Sequence, residues 1–329
     1  MELLPLWGGV VRPGTQADVS VRIDAAEDYM ARQLTKDQRL ALISKWKSPP
    51  GPAEQDRLER AERMVRAAIS RHEPFRGVNV AVEAKGSYPN NTNVHGDSDV
   101  DIKVQLNECF YYDGQSWLPE GPNYVGPWTK DKLRREVHGA LTGAFGLVDS
   151  DHNIAFYVPE VAGSRPSTDV VPCFKYVLYD RAAVGGKYEG SVVFGRDGKK
   201  VVNWPELQLA NGRAKNDRTG RRYKFVVRVL KNVENDLTAQ GVIEALPSYF
   251  SECLIYNVPD RVFLDGGLDD VVRESVREVY RQLDSPGTDW KGMVEPNGVK
   301  MVFGEGQKWD EKDALDLILG AWRYLNYGG

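Results

Sequence analysis

The sequence predicts an α+β fold in which a sheet-containing half is followed by a helical half. Residues 77–85 and 99–106 alternate apolar and polar side chains, as strands with one buried face do. Residues 129–145 instead repeat apolar side chains at helical spacing. From Trp204 onward the helical spacing dominates. We therefore expect two domains, residues 1–200 and 201–329, with an active site in the cleft between them.

The individual elements are predicted from the same periodicities. Helices are expected over 17–46 and 55–71, because the intervening Pro49-Pro50-Gly51 cannot continue a helix. The helix over 129–145 has Thr129 as its expected N-cap. Further strands are expected at 154–158 and 168–179, followed by a hairpin over 186–200 that turns at Asp197-Gly198. The later helices are expected at 205–212, 218–238, 247–257, 268–284 and 309–326.

Composition narrows the class of protein. The 43 basic and 47 acidic residues nearly cancel, which argues against a strong non-specific grip on duplex nucleic acid. No apolar run approaches the roughly 20 residues of a membrane span, and the N-terminus lacks the pattern of a secretory signal. Cys109, Cys173 and Cys253 are scattered and do not cluster with histidines, so we expect buried thiols in a reducing, cytoplasmic environment.

The segment "GSYPNNTNVHGDSDVDI", Gly86 to Ile102, contains the candidate catalytic residues. On a strand, Asp99 and Asp101 face the side opposite Val100 and Ile102. Two adjacent carboxylates repel each other unless a cation lies between them, and hard oxygen ligands favour Mg²⁺, with Mn²⁺ as an alternative. The strand at 168–179 could bring Asp169 beside the pair.

A three-carboxylate site of this kind could hold two metals for in-line phosphoryl transfer. Gly86 lets the backbone approach a triphosphate closely, and Ser87 supplies N–H and O–H donors. Each feature alone has an ordinary explanation, since D-x-D is common on exposed strands and Gly-Ser is usually a turn. Their combination at this spacing is much more specific.

The same segment resembles the signature of the polymerase-β-like nucleotidyltransferase superfamily. Within it, the segment is most similar to the E clade of the bacterial cGAS/DncV-like nucleotidyltransferases (CD-NTases) of CBASS anti-phage systems. "STDVVPCF" resembles the family's third-aspartate strand and "LPSYFSECLIYNVP" its nucleotide-pocket helix. The resemblance covers about residues 50–326. It implies a polymerase-β-like core with N-terminal helices and a C-terminal helical domain.

The resemblance also implies an activity, the synthesis of a cyclic di- or oligonucleotide from NTPs. Asp99, Asp101 and Asp169 would carry the metals, and Gly86 and Ser87 would hold the triphosphate. ATP is the expected substrate, with UTP or another pyrimidine NTP as a plausible second. Activation by duplex DNA is not implied, because the cysteine and histidine count leaves no zinc thumb.

Three residues of the helical half have two interpretations. The resemblance implies that Lys231 and Ser248 bind the triphosphate and that Tyr249 stacks on the base. From the residues alone, Ser248 would be a plain N-cap and Tyr249 a core aromatic. Lys231 shares one helix face with two further cations, Lys224 and Arg228, and for those two we expect a solvated charged face. Glu252 and Asn257 are expected to be structural.

Two other functions are compatible with the motif. An enzyme that extends RNA or tRNA ends should have a broad basic surface, which a net charge of −4 does not favour. A degenerate nucleotide-binding scaffold should have lost a metal carboxylate, and all three aspartates are present.

The segment "AWRYLNYGG" ends the sequence. We expect residues 326–329 to leave the last helix as a mobile tail, because the two glycines have no side chain to pack. In one interpretation, the two glycines only stop the helix. Alternatively, the resemblance implies a ubiquitin-ligase-like partner that joins Gly329 to a target amine.

Overall fold

The computed structural model describes residues 33–94, 100–113, 121–122, 126–180, 183–284 and 289–328. Its helices are α1 (Lys36–Trp46), α2 (Pro52–Arg71), α3 (Lys130–Phe145), α4 (Pro205–Arg218), α5 (Tyr223–Ala239), α6 (Tyr249–Tyr256), α7 (Leu268–Leu283) and α8 (Glu311–Tyr324). Its strands are β1 (Val80–Lys85), β2 (Val100–Asp113), β3 (Gly121–Pro122), β4 (Phe156–Val158), β5 (Thr168–Tyr179), β6 (Lys187–Phe194) and β7 (Lys200–Asn203). The α+β fold class is confirmed.

The seven described strands form one sheet in the order β1-β2-β5-β6-β7, with β3 beside β2 and β4 beside β5. Strands β2 and β5 are parallel, and the other neighbours are antiparallel. The apolar side chains of β2 form a core with those of α2 and α3, so these helices cover one face of the sheet. All four alternating residues of β2 are fully buried, as the sequence pattern predicts: Val100, Ile102, Val104 and Leu106.

Most predicted elements are found, with shifted ends. Strand β5 matches its predicted bounds, whereas β2 continues from the predicted end at Leu106 to Asp113 across an irregularity in its pairing with β5. Thr129 caps α3 by accepting a hydrogen bond from the Lys132 N–H at 3.1 Å, as predicted. The predicted helix over 17–46 is found from Lys36, and residues 17–32 lie outside the described part of the chain.

The helical half has its own apolar core, built from α5 to α8. Leu34, Ile43 and Trp46 also belong to it, so α1 packs against the helical half rather than on the sheet. The division into residues 1–200 and 201–329 stays a prediction. Helix α1, which that division assigns to the first domain, packs against the second. Within the residues described, no helix combines the length and apolarity needed to cross a membrane.

The end of the chain corrects the prediction of a mobile tail over residues 326–329. The Tyr327 hydroxyl donates a hydrogen bond to Asp269 Oδ1 at 2.8 Å, and the Arg39 guanidinium lies 4.7 Å from the centre of the Tyr327 ring. Arg39 also donates to the backbone oxygens of Leu325 and Asn326. The tail is therefore docked as far as Tyr327. Gly328 is exposed, and Gly329 lies outside the described residues.

Candidate active site

Two of the three predicted metal carboxylates lie side by side at one edge of the sheet. Asp101 on β2 and Asp169 on β5 are Cα partners in the parallel register, so their side chains leave the same face. The buried neighbours Val100 and Val170 fix that orientation from the opposite face. Asp101 keeps 49% of its side chain exposed, and Asp169 is half-buried. Asp99, the third carboxylate, lies outside the described residues.

A turn next to these carboxylates follows strand β1 and is called here the Gly86 turn (residues 86–92). Gly86 has a φ of +78°, and a Cβ built on it would lie 3.0 Å from Asp101 Oδ2. Only glycine permits both this backbone conformation and this close approach. The Ser87 carbonyl accepts a hydrogen bond from the Thr92 N–H at 2.9 Å, which closes the turn. Gly86 and Ser87 thus lie directly beside the acidic edge.

The far end of the Gly86 turn is inserted into the helical half. Asn90, Thr92 and Asn93 are at most 3% exposed, which is unusual for polar turn residues. On helix α4, a Cβ built on Gly212 would lie 2.9 Å from Asn90 Oδ1, so the helix can pass this close only because residue 212 is glycine. One short turn therefore lies against both Asp101 and the helices.

Lys224 and Arg228 of helix α5 correct the prediction of a solvated charged face, and Lys231 is buried beside them. Lys224, Arg228 and Lys231 are only 6%, 2% and 2% exposed. Arg228 donates from Nε to the Lys47 carbonyl oxygen at 2.8 Å, and its Nη1 donates to the Asn91 carbonyl oxygen of the Gly86 turn. Burial lowers the pKa of Arg228 to about 10. This arginine ties the turn to the end of α1 across the helical half.

The first residues of α6 are Ser248, at the N-cap position, and Tyr249. Among the described residues, the Ser248 hydroxyl caps no helix N–H, so the plain capping role expected for it is not found. The Tyr249 hydroxyl donates to Glu295 Oε2 at 3.2 Å, and its ring lies edge-on to that of Trp309, with centroids 6.4 Å apart. Burial raises the pKa of this phenol well above its usual range. The tyrosine is thus held at both its ring and its hydroxyl.

Sequence reasoning missed two paired lysines beside this edge. The Lys85 amine lies 3.7 Å from Asp101 Oδ1, where β1 and β2 are in register. Lys103, two residues after Asp101 on the same face, is buried and paired with Glu83 at 3.1 Å and with Glu206 of α4. The alternation of β2 already places Lys103 beside Asp101 in the sequence, but its partners come from distant segments.

The donor set suits a divalent cation. Asp101 and Asp169 supply hard carboxylate oxygens on one face, and the half-exposed Asp101 side chain leaves room for metal-bound water. Gly86 keeps the space beside Asp101 Oδ2 clear of a side chain. Asp101 and Asp169 are therefore suitable ligands for such an ion.

Comparison with known proteins identifies the family. Residues 210–326 match the family model of the cGAS/DncV-like nucleotidyltransferase C-terminal helical domain. A cyclic dipyrimidine nucleotide synthase CdnE of Legionella pneumophila is 34% identical over 289 residues, covering 85% of this chain and 96% of the relative.

Solved structures give the same result. The CdnE cyclic dinucleotide synthase of Elizabethkingia meningoseptica with GTP and Apcpp is 27% identical with a TM-score of 0.74, covering 90% of this chain and 100% of that one. The CdnE c-UMP-AMP synthase of Rhodothermus marinus with Apcpp and Upnpp is 28% identical with a TM-score of 0.74, covering 88% and 97%. Identity above 30% over most of both sequences, with the shared fold, means that this chain belongs to the cGAS/DncV-like nucleotidyltransferases, as a relative of the CdnE cyclic nucleotide synthases.

Proposed function

We propose that this chain is a Mg²⁺-dependent enzyme that makes a cyclic di- or oligonucleotide messenger from NTPs in anti-phage defence. The observation that carries the proposal is the pairing of Asp101 and Asp169 on adjacent parallel strands beside Gly86. Asp99 completes the proposed metal ligands, and Mn²⁺ would suit the same oxygen atoms. A bound metal would promote loss of the proton from the attacking hydroxyl and balance the charge of the leaving pyrophosphate.

The residues around the metal ligands have proposed roles in binding the nucleotide. Gly86 and Ser87 would donate hydrogen bonds to the triphosphate from the turn, and the Ser248 hydroxyl, which caps no N–H in the described helix, would donate from α6. Lys231 would contribute positive charge from α5. Tyr249 would stack on the base, because its hydroxyl is held by Glu295 and its ring is therefore fixed in direction.

The choice of base is a separate proposal. The relatives' names and bound ligands include dipyrimidine, guanine and uridine–adenosine combinations at similar identity. ATP with UTP or another pyrimidine NTP is the pair we propose to test first. Duplex DNA is not proposed as an activator.

The test is direct. The purified chain is incubated with each of the four labelled NTPs, singly and together, with Mg²⁺ or Mn²⁺, then treated with phosphatase and resolved by chromatography. We expect a phosphatase-resistant cyclic product. Asp101→Asn and Asp169→Asn should each reduce its formation at least about a hundredfold, because a metal ligand supplies several kcal/mol of transition-state stabilisation.

Asp151→Asn is the matched control, because its side chain is 92% exposed and pairs with the surface residue Arg196. It should remain active. A linear product extended on RNA would indicate an end-extending enzyme instead, and nucleotide binding without any product would indicate a scaffold. Full activity of both aspartate variants would refute the site assignment.

We also propose that Gly329 is joined to a target amine by a ubiquitin-ligase-like partner. The exposure of Gly328 supports access, but the docked Tyr327 leaves little free chain before it. Conjugates seen on co-expression with such a partner should disappear when Gly328 and Gly329 are deleted. Conjugates that persist would place the attachment elsewhere.

A further inference from the structure

The carboxylate of Glu252 lies at the junction between the Gly86 turn and the helical half. It is 1% exposed and belongs to α6, three residues after Tyr249. Its Oε2 accepts a hydrogen bond from Thr92 Oγ1 at 3.1 Å, and its Oε1 accepts one from Asn90 Nδ2. Both donors come from the far end of the turn that begins with Gly86 and Ser87.

Two helices complete the surroundings of Glu252. Gln208 of α4 donates to Oε1 at 3.4 Å. Lys231 and Lys224 of α5 lie close enough for their positive charges to act on the carboxylate. Burial raises the pKa of Glu252, while these charges and the hydrogen bonds from Thr92 and Gln208 act in the opposite direction.

This arrangement exceeds what packing the helix would need. A buried carboxylate is costly unless its oxygens are hydrogen-bonded, and an apolar side chain would fill the same space without that cost. Here the two carboxylate oxygens of Glu252 accept hydrogen bonds from Asn90 and Thr92 of the Gly86 turn. Two bonds from one side chain fix both the distance and the rotation of this turn relative to α6. Since Ser87 is bonded to Thr92 through the backbone, fixing Thr92 also fixes Ser87.

We propose that Glu252 is a positioning residue, which holds the Gly86 turn at the distance from helix α6 that lets Ser87 and Tyr249 bind one nucleotide together. Glu252 itself need not touch the substrate. Its effect should appear on the binding of the phosphate part of the nucleotide, because the segment that it restrains is the one proposed to contact phosphate. The inference rests on the proposed nucleotide site, but its test does not require turnover.

The decisive measurement compares the binding of ATP and AMP by calorimetry, with Glu252→Gln against the wild type. Glutamine keeps the size, removes the charge and replaces one acceptor oxygen by a donor. Charge-assisted hydrogen bonds are roughly twice as strong as neutral ones, so we expect ATP affinity to fall about tenfold. AMP affinity should change less than about twofold, because AMP lacks the β- and γ-phosphates. In the synthesis assay, the KM should rise while kcat changes little.

Thr92→Val provides a second variant that keeps the side-chain shape and removes only the hydroxyl. It should weaken ATP binding in the same selective way, and the double variant should be no worse than the weaker-binding single variant, since both act through one contact. Glu234→Gln is the control for losing a buried carboxylate, because Glu234 accepts a hydrogen bond from Ser251 within the helical half. This control variant should change the affinities for ATP and AMP by the same factor.

Three results would overturn the inference. Glu252→Gln could bind ATP as the wild type does, it could lose ATP and AMP equally, or its effect could add fully to that of Thr92→Val. A wild-type chain that binds ATP but forms no product would refute the proposed function and leave this test intact. A wild-type chain that binds no nucleotide would refute both.

Discussion

The sheet edge that holds Asp101 and Asp169, called here the sheet wall, and helices α5 and α6, called here the helix wall, carry their charges in opposite ways. On the sheet wall, Asp101 and Asp169 remain partly open to solvent at the strand edge. On the helix wall, the cations of α5 are almost completely buried, and Arg228 is hydrogen-bonded to backbone carbonyls from two distant segments. In the proposed function, open carboxylates suit a hydrated metal because they stay hydrated themselves. Buried cations are instead desolvated and fixed during folding, which would preorganise their charge for a triphosphate.

The largest effect is expected when the buried Arg228 of the helix wall is replaced. Arg228→Met keeps much of the side-chain length and leaves the carbonyls of Lys47 and Asn91 without their donors. We expect the free energy of unfolding to fall by about 3 kcal/mol, because each buried unsatisfied acceptor costs about 1–3 kcal/mol. Urea denaturation measures it. Arg218→Met is the matched control, since that arginine is 57% exposed and pairs with Asp260, and should cost less than about 1 kcal/mol. If both variants lose the same free energy of unfolding, the burial of Arg228 makes no special contribution to stability.

A smaller effect tests the proposed stacking of Tyr249 on the base. Tyr249→Ala should raise the KM for NTPs about tenfold, because stacking on one base is worth roughly 1–3 kcal/mol. Tyr249→Phe keeps the ring and loses only the bond to Glu295, so we expect about a threefold rise. Glu295→Gln should behave like Tyr249→Phe in the same steady-state assay. If Phe and Ala lose equally, the hydroxyl rather than the ring is what the substrate needs.

The smallest effect concerns pH. Burial raises the pKa of Glu252 above its ordinary value of 4.5. Between that value and the raised pKa, the folded state keeps a proton that the unfolded state has released, so stability falls as pH rises through this window. Glu252→Gln has no such proton. Its stability deficit in thermal melts should therefore shrink as the pH rises above 4.5, and parallel pH profiles would show that burial does not raise this pKa.

The sheet wall could be predicted from the sequence because its geometry follows from local rules. Alternation along β2 places Asp101 on the face opposite Val100 and Ile102, and the second strand, which carries Asp169 as its second residue, needs only to pair alongside. The resemblance supplied Lys231 and Tyr249, which no periodicity would have selected. The roles of all these residues stay predictions.

The helix wall could not be predicted in the same way. The spacing of Lys224, Arg228 and Lys231 defines one face of a helix but does not say what covers that face. The segments that contact Arg228 on this face are the Gly86 turn and the end of α1, each more than a hundred residues earlier in the chain. The docked Tyr327 was missed for the same reason, because Arg39 and Asp269 are remote in sequence while the adjacent glycines are not.

The packing of α1 has a consequence for how the protein is made. Leu34 donates its backbone N–H to the Tyr324 carbonyl oxygen at 2.9 Å, and Arg39 binds the residues that follow. On the ribosome, α1 emerges long before α8, so its apolar side chains stay without their final neighbours until nearly the whole chain has been synthesised. Arg228 and the Lys47 carbonyl oxygen that accepts from it lie on segments far apart in the chain. The nascent chain can therefore complete this helical packing only after the strands that hold Asp101 and Asp169 have been synthesised.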